Sequence, residues 1–196
     1  MSMESLEQDA VAFLRSNAEA QSRIANESVD LLLSVADTLV ACIQAGGKIL
    51  IFGNGGSAAD AQHFAGEIVG RFLRERGPLA AIALTADTSV LTAIGNDYGF
   101  EEIFSRQVQG LGKPGDVAFG ISTSGNSSNV LKALQVARDG GMKTIALTGP
   151  LPNRAAETAD QVLCVDSKQT PIIQQIHITF IHLLCLLVEK AIFGEE

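Results

Sequence analysis

Positive charge is scarce in this chain: 14 Lys and Arg stand against 22 Asp and Glu, a net charge of -8 over 196 residues. A protein that grips nucleic acid needs a basic face to displace counterions from phosphates, so no nucleic-acid partner is expected. Cysteine is scarce as well. Cys42, Cys164 and Cys185 are odd in number, lack metal-ligand spacing and sit among apolar neighbours. That pattern excludes a disulfide framework or a cysteine-built zinc cluster and reads as buried free thiols in a reducing compartment. The opening residues hold Glu4, Glu7 and Asp9 and no basic residue, unlike an export signal. The longest apolar run, Ile176 to Val188, is broken by Thr179 and His182 and is too short to span a bilayer, so no membrane partner is expected. The cytoplasm is the expected compartment. The chain also shows no repeat, no low-complexity tract and no linker.

What is present is apolar and ordered: 46% hydrophobic residues against 18% charged, enough for a sizeable core in one domain spanning 1–196. Residues 1–46 have helical spacing only. Leu6, Val11, Phe13, Leu14 and Ile24 mark one amphipathic helix, and Val29 to Ala45 mark a second, stopped by Gly46-Gly47. Strands and helices then alternate. Strands are expected at Ile49–Phe52, Ala80–Leu84, Asp116–Ile121, Lys143–Thr148 and Val162–Val165. Helices are expected at Ala58–Phe72, around Val90 and Ile103, and at Asn129–Arg138. A closing helix runs from Pro171 to Phe193, with proline at its start. This alternation predicts an α/β three-layer sandwich on a five-stranded parallel sheet, with the N-terminal helices added. The closing helix is apolar nearly all round and must be buried on most of its circumference. With the two N-terminal helices it points to a helical interface between subunits.

Two loops carry the chemistry. Gly53-Asn-Gly-Gly-Ser57 joins a strand to a helix and makes an anion cradle from backbone N–H groups and the helix dipole. Ser122-Thr-Ser-Gly-Asn-Ser127 ends the third strand with four hydroxyls in six residues, more than one helix cap needs. In a flavodoxin-like strand order both loops flank the switch point, where ligands bind. A phosphate dianion suits such donors. His63 and Glu67, four residues apart, share one helix face beyond the first loop. On the closing helix, Gln174 and His182 lie about 12 Å apart along a straight axis. One copy of that helix could hardly bring both to a single ion, so the helix bends or two subunits contribute. Gly53-Asn-Gly-Gly-Ser-Ala58 also fits the dinucleotide fingerprint, but Asp87 comes late for the ribose and the serine loop would have no role.

Gly53–Ser57, His63-x-x-x-Glu67, Gly95-Asn-Asp97, Ser122–Ser127 and Gln174-x7-His182, in that order, resemble the sedoheptulose 7-phosphate (phosphoheptose) isomerases of the sugar isomerase (SIS) domain family. The resemblance implies a homotetramer with active sites between subunits and one zinc per subunit, held by His63, Glu67, Gln174 and His182. It implies substrate contacts from Asn54, Gly55, Gly56, Ser57, Glu67, Asn96, Asp97, Ser122, Thr123, Ser124, Ser127 and Gln174, with Arg71 as an extra. Some members carry Asp, Arg and Glu where this chain has Pro171, Ile172 and Gln175; Gln174 and His182 are intact.

The expected activity is conversion of a seven-carbon ketose phosphate to its aldose phosphate through an enediol(ate), the first step of activated-heptose supply. Glu67 and His182 are the expected catalytic pair, in roles that the sequence leaves interchangeable. Two other readings stand at this point. One is a non-catalytic SIS protein that binds a replication initiator, expected to lack Glu67 and an intact Ser-Thr-Ser. The other is an isomerase of a different sugar phosphate.

Overall fold

A computed structural model describes residues 2–194. Helices α1 (Met3–Glu27) and α2 (Val29–Gln44) come first, hinged at Ser28. Ser2 caps α1 by accepting the Ser5 N–H. Then follow β1 (Ile49–Gly53), α3 (Gly56–Val69), β2 (Ala81–Ala83), α4 (Thr88–Asp97), a 3-10 turn at Phe100–Glu102 and α5 (Ser105–Leu111). The chain closes with β3 (Val117–Ser122), α6 (Ser128–Asp139), β4 (Lys143–Thr148), α7 (Arg154–Thr158), β5 (Gln161–Cys164) and α8 (Thr170–Phe193).

All strand pairs are parallel, in the order β2-β1-β3-β4-β5. The chain reverses direction across the sheet between β1 and β3, as expected, and the register Gly53↔Ile121 brings their carboxyl ends level. The central strands β1 and β3 are buried at every residue, which is why they read as continuous apolar runs rather than alternating ones. One apolar cluster joins α1, α2, α3 and α8 to one face of the sheet; the other joins α4 to α7 to the opposite face. The three-layer α/β sandwich is therefore the fold.

Three expectations need correcting. Helix α3 stops at Val69, three residues early, because Gly70 ends it and the segment after it is held by α8. The short helix α7 carried too few residues to declare a period in the sequence. At 24 residues α8 outruns its apolar core and is long enough to cross a bilayer by length and composition. Here it is a core helix, burying Ile176, Phe180, Ile181, Leu184 and Val188 against the sheet and its neighbours. The outward side of the N-terminal pair leaves Leu6, Val11, Phe13, Leu14, Val29, Leu31 and Leu33 exposed.

Candidate active site

Beyond β1 the backbone must pass under α8, and the glycines make room. A side chain at Gly56 would land on the amide of Gln174, so the first turn of α8 lies directly over the glycine loop. Gly55 occupies the N-cap of α3 with φ +57. Ser57 is the second helical residue; it is buried, and its N–H returns to the Asn54 carbonyl at 3.0 Å.

The serine loop forms a compact hydroxyl cluster. Ser122 Oγ stands 3.0 Å from Ser127 Oγ and 3.3 Å from Ser124 Oγ, and Ser124 Oγ accepts the Asn126 N–H at 3.1 Å. Ser127 caps α6 by position only, since its hydroxyl turns to Ser122 rather than to the helix. Gly125, at φ +62, presses against Asn153, where any side chain would collide. Thr123 is half-buried, with its carbonyl packed on Gly149.

A residue that the sequence reading missed joins the two loops. Asn54 and Asn129 exchange side-chain amides reciprocally, at 2.8 and 2.9 Å, and Asn129 is 2% exposed. The available signal was a poor helix former just inside a helix, directly after the serine loop.

Two turns along the α3–α8 groove lies a second cluster. His63 Nε2 is 3.0 Å from His182 Nε2 and 3.3 Å from Glu67 Oε1. Ligand atoms of His63, Glu67 and His182 all fall within 4.8 Å of one another, inside one protomer. Nothing local predicts that His182 closes on His63 across 119 residues. A tetrahedral cation with bonds of about 2.0–2.1 Å needs donor spacings near 3.3 Å, which these residues approach. The donor set, two imidazoles and a carboxylate, suits zinc.

Gln174, on the same helix as His182, has its amide at the glycine loop over Gly56. Asp60, one turn before His63 on the same helix, was also missed. Its Oδ2 is buried without a hydrogen-bond partner, and burial pushes its pKa up against the pull of His63. Asn96 and Asp97 pair with each other at 2.8 Å on the exposed end of α4. Asp97 lines a 730 Å³ cavity with Tyr98 and Arg106, whereas Gly95 lines a 390 Å³ cavity with Asn54 and Gly55. Arg71 faces Glu75 at 3.6 Å on the surface.

A glycine loop, a hydroxyl cluster and an imidazole–carboxylate groove stand together at the carboxyl ends of β1 and β3, the place where doubly wound sheets take small-molecule ligands. A family model of the SIS domain matches residues 12–149. The phosphoheptose isomerase of Rhodospirillum rubrum is 51% identical over 187 residues, covering 95% of this chain and 99% of that protein. The solved phosphoheptose isomerase of Neisseria gonorrhoeae superposes with TM-score 0.89 at 44% identity, over 94% of this chain and 99% of that one. That of Francisella tularensis gives 0.91 at 38%, over 97% and 100%. The chain belongs to the SIS-domain family and, within it, to the phosphoheptose isomerases.

Proposed function

We propose that the protein converts sedoheptulose 7-phosphate to D-glycero-D-manno-heptose 7-phosphate, the aldose–ketose isomerisation that opens activated-heptose biosynthesis for envelope glycans in the cytoplasm. The observation that carries the reading is the meeting of His63, Glu67 and His182 beside two loops suited to a phosphate ester. The serine hydroxyls and the glycine-loop amides seat the phosphate and fix the sugar's far end.

Glu67 then takes the proton from C1 while protonated His182 gives one to the carbonyl oxygen on C2, which leaves an enediol and neutral His182. His182 moves the proton from the C1 oxygen as Glu67 returns its proton to C2, and the aldehyde forms at C1. No atom is gained or lost. Asn54 is held by Asn129 and so offers a fixed polar edge to the sugar.

His63, Glu67 and His182 would hold one zinc per subunit. When bound, the ion polarises the carbonyl and stabilises the developing oxyanion. Gln174, which in one protomer lies at the glycine loop, supports a reading in which a neighbouring subunit completes the site. The bare apolar residues of α1 and α2 support burial between subunits, in a homotetramer.

The test is NMR of sedoheptulose 7-phosphate with wild type, chelator-treated protein and Glu67→Gln. Aldose should form with wild type, fail with chelator and fall at least about 100-fold in Glu67→Gln while the substrate still binds. Wild-type turnover by Glu67→Gln, or no aldose from wild type, would refute the proposal.

A further inference from the structure

Helices α3 and α8 each carry part of the imidazole–carboxylate cluster, so their relative setting fixes its geometry. The segment 70–76 ties them together just beyond it. Arg76 and Glu189, with side chains 2% exposed, form an ion pair at 2.7 Å. Glu189 follows His182 by two turns on α8. Its carboxylate also accepts the N–H groups of Phe72, Leu73 and Arg74 at 3.1, 2.9 and 3.1 Å. Burial alone would raise the pKa of Glu189, but these backbone donors and the guanidinium hold it below the usual carboxylate range.

The other arm of Arg76 reaches α3. Nη2 donates to the Glu67 carbonyl at 2.8 Å, and Nη1 donates to the carbonyls of Ile68 and Gly77 at 3.0 Å each. Glu67 and Ile68 present carbonyls of the last helical turn, which have no partner within the helix. A lysine could match the charge but not the fork. The segment held in this way lays the Phe72 ring on His182, with centroids 5.6 Å apart and planes at 31°. Among the described residues, the one hydrogen-bond-range contact of the His182 ring is with His63, so ring packing does much of the orienting.

We infer that Phe72, Arg76 and Glu189 are positioning residues: the ion pair sets Glu67 against His182, and the Phe72 ring sets the direction of the His182 imidazole. The inference rests on the isomerase reading of the site. A purely structural ion pair would stabilise the chain without tuning the cluster, and the two roles separate by measurement.

The full-length variants Phe72→Leu, Arg76→Lys and Glu189→Gln are compared with wild type. The readouts are zinc affinity by competition with a chromophoric chelator, melting temperature without metal, and kcat and KM. Phe72→Leu leaves the ion pair whole, so its melting temperature should stay within about 3 °C of wild type, while zinc affinity falls about 10-fold or more. Its kcat should fall with KM within about twofold, the mark of lost transition-state alignment rather than lost binding. Arg76→Lys should weaken zinc to a similar degree. If Glu189→Gln fails to fold, Phe72→Leu decides alone. Wild-type zinc affinity and kcat in Phe72→Leu would overturn the inference. So would losses in the other two that vanish once activity is referred to folded protein. A wild type that binds zinc without isomerising the sugar overturns the functional reading only, and the affinity arm still judges the positioning.

Discussion

The Asn54–Asn129 pair offers a quantitative test of how the two loops are held together. Truncating Asn129 to alanine removes two neutral hydrogen bonds, at 2.8 and 2.9 Å, from a residue that is 2% exposed. At roughly 1 kcal/mol each, the pair is worth about 2 kcal/mol. The half-buried Asn54 regains some of this from water, which leaves a net loss of about 1–2 kcal/mol. For a chain of this length that loss lowers the melting temperature by about 2–8 °C. Asn54→Ala should cost a similar amount, and the double variant little more than either single one, because each single change already breaks both bonds. Urea denaturation of the four proteins gives the coupling, expected near 1–2 kcal/mol. The three variants should show a raised KM for the sugar phosphate with a smaller change in kcat, since the Asn54 amide is lost or leaves its fixed place on the glycine loop. Additivity within about 0.3 kcal/mol would refute the account, because independent residues behave that way.

Two further outcomes follow from the same geometry. Gly149→Ala would drive its new methyl into the Thr123 carbonyl and so displace the serine loop; a stability loss of about 1–3 kcal/mol and a raised KM are expected. Gly110→Ala, in α5 with open space at the same atom, should be neutral or stabilising by comparison, and equal losses in both would refute the steric argument. His177 gives a pH signature. It is fully buried with Nδ1 unpartnered; burial lowers its pKa from 6.5 to about 4, and the hydrogen bond to the Thr148 carbonyl offsets only part of that. The folded protein therefore refuses a proton that the unfolded chain binds below 6.5. Stability from this group is complete above 6.5 and is lost as pH falls toward 4, by about 3 kcal/mol in all. Urea midpoints across that range should fall less steeply for His177→Gln, and parallel curves would contradict the assignment.

Much of the fold was legible because its signals are local. A doubly wound sheet writes its strands as short apolar runs between glycine turns, and β4 fell at the expected residues, Lys143–Thr148. The end of α3 was misjudged for a reason that is not local. Segment 70–76 leaves the helix because Glu189, more than a hundred residues away, takes the N–H groups of Phe72 to Arg74. No window of sequence contains that competition.

The candidate site divides in the same way. His63 and Glu67 share a face by helical period alone, and the glycine and serine loops are read from composition at strand ends. Asn129 and Phe72 act only through partners far along the chain, so neither stood out in sequence. Asp60 carries a signal only once the folded chain buries its oxygen without a partner.

By itself the sequence determined the alternation of strands and helices, the place of the ligand loops at β1 and β3, and the pairing of one imidazole with one carboxylate. Those follow from backbone period and turn chemistry, which act over a few residues. Only the tertiary structure decided that His182 meets that pair within one protomer, that the Gln174 amide lies over Gly56, and that a buried Arg76–Glu189 ion pair stands between the two helices. Contacts of that kind arise where packed helices bring residues far apart in the chain side by side, which the local order of residues does not encode.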